Sequence, residues 1–186
     1  ENLGRFTKAR IQGKIGHFTS IFSVYTPTYK SSPATGSAKR KIDYTVYSQH
    51  QRYLRNQRRF TETPRIALLN DLRLAIRECT NAGDKVIVCM DANEDTRTGI
   101  YNHMLNEEGL HEAILRRHNA MSPPATCQTN KRRSPIDGMW ISNGMNIAAG
   151  GYAEFDGFCM SDHRSIWADF TFPEILGHNP PNLPRI

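Results

Sequence analysis

Five consecutive apolar residues, Val86, Ile87, Val88, Cys89 and Met90, run directly into Asp91-Ala92-Asn93-Glu94-Asp95. A strand apolar at every position has no solvated side, so it belongs in the middle of a sheet with layers packed on both faces. A chain of 186 residues is long enough to supply those layers within one domain. This run is also the chain's longest apolar stretch and is far too short to span a bilayer. With 38% hydrophobic and 23% charged residues, the composition is that of a globular domain and excludes a disordered tail, a collagen-like repeat and a coiled coil.

Around this strand the pattern alternates strands with helices. Arg5 to Gly13 and His17 to Thr26 read as two strands separated by the turn-prone Gly13-Lys14-Ile15-Gly16. Thr26 to Lys41 reads as a surface loop, and 42–59 as an amphipathic helix flanked by Arg52, Arg55, Arg58 and Arg59. Thr63 can cap a helix that starts at Pro64, carries Ile66, Leu69, Leu72, Ile76 and Cys79, and ends at Asn81-Ala82-Gly83. Segment 100–118 reads as two helical pieces broken near Gly109. Three further strands follow over Ile136 to Ser142, Asn146 to Phe155 and Arg164 to Phe172. The expected organisation is one α/β (α+β) domain over 1–172 and a Pro-rich tail or linker over 173–186.

Twenty-four Lys and Arg against 18 acids give a net charge of +6, which favours polyanionic partners. The four cysteines, Cys79, Cys89, Cys127 and Cys159, form no Cys-x-x-Cys pair and are too few for a disulfide scaffold. No Asn-x-Ser/Thr acceptor and no signal peptide is present, so an intracellular chain, cytoplasmic or nuclear rather than secreted, is expected, with no stable membrane association. His111-Glu112 begins like a zinc-protease motif, but Leu115 stands where the second His is needed.

Three spots carry chemistry. Asp91 and Asn93 stand two apart at the end of the buried strand, so both are expected to point into the crevice at its tip. A calcium loop is excluded there, because Thr96 replaces the turn Gly and Asn102 the bidentate Glu. Asp162-His163 precedes the final strand, at an entry loop where both side chains can turn into one pocket. Asp137 enters an apolar strand and needs a partner, for which His163 is the natural choice.

Taken in order and spacing, Asp91-x-Asn93, Ile136-Asp137 and Ser161-Asp162-His163 resemble the endonuclease/exonuclease/phosphatase superfamily, the fold of DNase I and of exonuclease III-type abasic-site endonucleases. Val24-Tyr25-Thr26-Pro27 resembles the Tyr-x-Pro segment of that family, and the resemblance runs from about residue 15 to about residue 172. It implies a four-layer αββα sandwich. It also implies that His163 is a general base and that Asp137 fixes its tautomer. Asp162 would then bind a divalent metal, Mg²⁺ or Mn²⁺, while Asp91 orients water or helps protonate the leaving group. Asn93 would donate to phosphoryl oxygens, and Tyr25 would reach the same phosphate from the opposite sheet. Arg132 and Arg133, with Lys131, and the cluster Lys39-Arg40-Lys41 would track a phosphate backbone.

The chain departs from the family pattern in its first quarter. No Asn motif and no metal-binding Glu precedes residue 15: Glu1 is terminal, and Glu62 falls in a loop. The expectation is therefore a domain whose N-terminal part is missing. Met90, Ala92 and Thr28 stand where the family usually has Gly, a large apolar residue and Asn. The function implied is metal-dependent phosphodiester hydrolysis of nucleic acid, DNA favoured over RNA, as in retroelement endonucleases. The rivals are a catalytically silent remnant that at most binds nucleic acid, and a phosphoesterase acting on inositol phosphates, lipids or RNA tails.

Overall fold

The computed structural model describes residues 3–14, 16–28, 46–129, 132–155 and 161–178, with only the backbone of Thr129 and Arg132. Lys39-Arg40-Lys41, Lys131 and the last prolines lie outside those residues. The elements are β1 (Phe6–Gln12), β2 (Phe18–Tyr25), α1 (Val46–Asn56), α2 (Pro64–Asn81), β3 (Lys85–Asp91), α3 (Ile100–Glu107), β4 (Leu110–Glu112) and α4 (Ala113–His118). They are followed by β5 (Cys127–Thr129), β6 (Arg132–Ser134), β7 (Asp137–Ser142), β8 (Ala149–Tyr152), β9 (Ile166–Asp169) and α5 (Phe172–Leu176).

The main sheet has the order β1-β2-β3-β7-β4, so the apolar strand β3 is central. It runs parallel to β2 and antiparallel to β7. Alternation along the strands gives the sheet two apolar faces. Phe22, Val24, Val86, Val88, Met90 and Trp140 pack against α2 and α3 through Leu68, Leu72, Ile76, Tyr101, Met104 and Leu105. Ile21, Ile87, Cys89, Met139 and Ile141 face the other way, toward α4 and the β8–β9 hairpin with Ile166 and Ala168. The described residues therefore supply one helical layer, the central sheet and one hairpin of a second sheet, in keeping with the expected layered sandwich. Among them no helix is long and apolar enough to cross a membrane.

Helix α2 starts as its sequence dictates: Thr63 is extended, its side chain accepts from the Ile66 amide, and Pro64 opens the first turn. Its buried stripe differs from the expected one, because Ala67 and Leu68 are fully buried while Ile66 is 41% exposed. The Gly109 break is real, with φ of +78°, but the chain does not pass from helix to helix there. Leu110–Glu112 first pairs with Ser142, Ile141 and Trp140 as the edge strand β4.

The expected tail begins as a helix. Thr171 is extended, Pro173 sits in the first turn, and Gly177 ends α5 in the left-handed region. The helix docks on the turn between β1 and β2: Lys14 N–H donates to the Leu176 carbonyl at 2.8 Å, and Thr19 Oγ1 donates to the Ile175 carbonyl at 2.9 Å. A Cβ on Gly13 would sit 2.3 Å from the Leu176 carbonyl oxygen, so only glycine permits this approach. Residues up to His178 are therefore part of the packed structure rather than a linker.

Asp84 anchors the start of β3. Arg10 donates twice to its carboxylate at 2.7 Å, and Ser20 Oγ donates at 2.7 Å. The Arg10 guanidinium holds this carboxyl below the usual carboxylate range. A depressed folded value contributes stability that is present above the unfolded pKa and lost as pH falls through the folded one. Asp84→Asn should therefore flatten the acid limb of a stability-versus-pH curve, measured by urea midpoint. Leu72→Ala, at a fully buried position of α2, should lower unfolding free energy by about 2–5 kcal/mol in the same assay.

Candidate active site

The site forms where β2, β3 and β7 end side by side. Tyr25 is in register with Asp91 across the parallel pair, and Asp91 is in register with Asp137 across the antiparallel pair. Counting by twos from these residues into their strands, back in β2 and β3 and forward in the antiparallel β7, reaches Ile21, Cys89 and Met139, so Tyr25, Asp91 and Asp137 form one row on the face toward the second sheet. Tyr25 thus shares a sheet with Asp91 and does not approach from the opposite one, as the resemblance implied. Parallel pairing of β2 with β3 joins residues far apart along the chain, a register that no local pattern encodes.

His163 comes from the other side of the sandwich, just before β9. Its Nδ1 lies 2.9 Å from Asp137 Oδ2, and because an ionised carboxylate only accepts, the ring nitrogen donates. Ser161 fixes the approach, its Oγ accepting from the His163 amide at 3.1 Å. Ligand atoms of Asp91, Asp137 and His163 all lie within 4.8 Å of one another. Burial, then the adjacent Asp137 carboxylate, pushes the Asp91 carboxyl up. Two paired carboxylates at a half-buried strand end are the donor set that a hard cation would neutralise, so the residues present fit Mg²⁺ or Mn²⁺.

The segment 125–128 holds these groups together. Thr126 is fully buried, and its Oγ1 accepts from both the Ile136 and the Asp137 amides at 2.9 Å. Thr126 also accepts at its carbonyl from the Arg164 amide, Cys127 pairs opposite His163, and Gln128 N–H donates to the Asp162 carbonyl at 2.7 Å. On its other side β5 pairs with β6. Residues 125–128 thus lie between the strand carrying Asp137 and the loop carrying His163. Arg164 reinforces the join by donating to the Ala125 carbonyl at 2.7 Å while lying over the rings of Tyr152 and Phe155. The sequence pattern assigned no strand to this region. The polar alternation of Cys127-Gln128-Thr129 and Arg132-Arg133-Ser134 was its only signal, and at three residues a strand has too little periodicity to register.

The residues after β3 divide their tasks. Asn93 lies beyond the strand end in the left-handed region, φ of +48°, so the two-residue spacing from Asp91 no longer sets its direction. Its amide donates to Asp91 Oδ1, and one Nδ2 hydrogen goes to the Thr26 carbonyl at 2.7 Å, leaving the second hydrogen of that amide to donate elsewhere. Glu94 accepts from the Tyr101 amide at the start of α3 and pairs with Arg65, and Asp95 pairs with Arg97, which holds its carboxyl down at about 2. Both are structural. Beside the site opens a cleft of about 480 Å³ whose lining includes Asn93, Arg97, Arg133, Ser134 and Ile136. Arg133 is exposed on its rim, whereas the side chain of Arg132 is outside the described residues.

Asp162 departs from its expected company. Its carboxylate groups with Cys127 and His163 rather than with Asp91 and Asp137, and the two sets share only the imidazole. No glutamate belongs to either set among the described residues.

Similarity to known structures agrees with this architecture. The chain aligns with the human Nocturnin catalytic domain with bound sulfate anion at 17% identity and a TM-score of 0.52, over 90% of this chain and 60% of that one. It aligns with the Xenopus laevis APE2 catalytic domain at 13% identity and 0.52, over 89% and 55%. The Neisseria 3' phosphatase NExo bound to product DNA hairpin gives 14% identity and 0.54, over 89% and 64%. The chain therefore has the fold of the endonuclease/exonuclease/phosphatase (DNase I-like) superfamily and spans 55–64% of the length of these three structures. No protein-family model matches the sequence, and no curated protein matches it significantly.

The buried Thr126 hydroxyl gives a direct test of how the site is held. Thr126→Val keeps the shape but leaves the Ile136 and Asp137 amides without their acceptor, at a cost of about 1–3 kcal/mol for each orphaned donor. Urea unfolding should show a lower midpoint, and the His163 ring resonances should shift although no catalytic atom has been changed.

Proposed function

We propose that this chain carries the catalytic face of a metal-dependent phosphodiester hydrolase acting on nucleic acid, DNA in preference to RNA. The observation that carries the reading is the 2.9 Å contact of His163 Nδ1 with Asp137 Oδ2, beside Asp91 at the mouth of the sandwich. With Nδ1–H committed to Asp137, Nε2 carries the lone pair that takes a proton from an attacking water. Asp137 stabilises the imidazolium that results.

Asn93 uses its remaining amide hydrogen as a donor to a phosphoryl oxygen, and the Tyr25 hydroxyl, on a residue 45% exposed in the same row, is a second donor from the same sheet. The Asp91 carboxylate, in the same row as Asp137, is suited to orient the attacking water. Asp91 and Asp137 would hold Mg²⁺ or Mn²⁺, and Asp162 on the rim adds negative charge that draws it in. The cation supplies neutralisation of charge that builds on the phosphorus oxygens. Arg133 on β6 and Arg97, both lining the cleft, suit a phosphate backbone, with Arg132 next to Arg133 in the sequence. The net charge of +6 agrees with a polyanionic substrate, as does the DNA hairpin bound by the Neisseria relative in fold.

Nicking of a supercoiled plasmid with Mg²⁺ tests the reading, both for this chain and for a form extended upstream. His163→Ala should reduce the rate by about 10²–10⁴-fold, and Asp137→Asn should fall in the same range. Binding should weaken steeply with salt, with a slope reduced by about one unit in Arg133→Ala. Equal nicking with and without His163 would overturn the mechanism. Absence of nicking by both forms would favour a catalytically silent remnant.

A further inference from the structure

The cysteine facing the site is not used by this hydrolysis. Cys127 is 7% exposed and stands directly opposite His163 as its β-bridge partner, which brings the two side chains onto one face. Its sulfur, one ring nitrogen of His163 and one carboxylate oxygen of Asp162 lie within 4.8 Å of one another. We propose that Cys127, Asp162 and His163 form a second cation site, selective for a borderline-soft divalent ion such as Zn²⁺, built on the same imidazole as the hydrolytic site.

The donor chemistry separates this site from the one at Asp91 and Asp137. A sulfur ligand suits Zn²⁺ or Co²⁺ and disfavours Mg²⁺, which takes oxygen ligands and water. Sulfur, nitrogen and oxygen at zinc bond lengths of about 2.0–2.3 Å stand about 3.4–3.7 Å apart in a tetrahedron, so binding would draw these donor atoms, now within 4.8 Å of one another, onto the ion, and a fourth position stays open. The imidazole is already prepared as a ligand. Its Nδ1–H donates to Asp137, the carboxylate–histidine–metal arrangement that orients a ligating ring and leaves the lone pair on Nε2. Burial, then the carboxylates of Asp162, Asp137 and Asp91, push the Cys127 thiol up, and those same carboxylates attract a dication. Binding exchanges the Cys127 Sγ–H proton, released to solvent, for an S–metal bond.

One consequence rests on the proposed function: an ion on Nε2 removes the lone pair that accepts a proton from water, so Zn²⁺ should inhibit hydrolysis while Mg²⁺ supports it. The site itself is tested without nucleic acid. Calorimetric titration of the chain with Zn²⁺ in excess Mg²⁺ should show one equivalent bound, with a heat that varies with the ionisation enthalpy of the buffer. Co²⁺ should give a thiolate-to-metal charge-transfer band in the near ultraviolet. Cys127→Ser should abolish that band and weaken Zn²⁺ binding at least tenfold. Asp162→Asn, at an exposed position, should keep the band and weaken binding severalfold, and this second variant tests the site even if Cys127→Ser does not fold. Wild-type affinity in either folded variant, or no Zn²⁺ binding by the unmodified chain, overturns the site. Zn²⁺ binding with no nicking by either this chain or the form extended upstream would leave the site standing and remove the proposed function instead.

Discussion

The hydrogen bond between His163 and Asp137 joins two layers that share no backbone ladder among the described residues. Asp137 opens β7 in the central sheet, and His163 precedes β9 in the separate hairpin. For the two side chains to meet, the layers must hold one separation and one relative position, and that is what the apolar face of Ile21, Ile87, Met139 and Ile141 against Ile166 and Ala168 provides. A half-buried carboxylate without its imidazole would be costly at this position, so packing and chemistry constrain each other.

The second requirement is met by backbone geometry. Strands β2, β3 and β7 end level with one another, which sets Tyr25, Asp91 and Asp137 in a single row. Thr126, from a segment in neither main layer, then satisfies the two amides where the chain enters β7. Without that acceptor the start of β7 would carry two half-buried donors short of a partner, and Asp137 would lose its fixed position. The site is therefore held at its centre by that hydroxyl, while Arg97 and Arg133 line the adjacent cleft together with Glu94 and Asp95.

Local signals in the sequence announced the elements that obey local rules. The cap at Thr63, the proline at the next position and the run Val86 to Met90 each have one reading, and the structure agrees. The three motif spots also pointed to a common cleft, because Asp137 entering an apolar strand demanded a partner. What escaped was long-range or short. The parallel register that puts Tyr25 beside Asp91 depends on tertiary pairing, and β4, β5 and β6 are three residues each. The helix after Thr171 was hidden by its own proline, which reads as a breaker in a tail but as a first-turn residue behind a cap. The left-handed turn at Asn93 likewise ended the strand rule before it could set that side chain's direction.

The tautomer of His163 is the most direct test of the whole arrangement. Long-range ¹H–¹⁵N NMR of the ring reports which nitrogen carries the proton. The structure predicts Nδ1–H with a bare Nε2 in the neutral ring, and loss of that preference in Asp137→Asn. A ring that is Nε2–H in the unmodified chain, or one indifferent to the Asp137 substitution, would contradict the account.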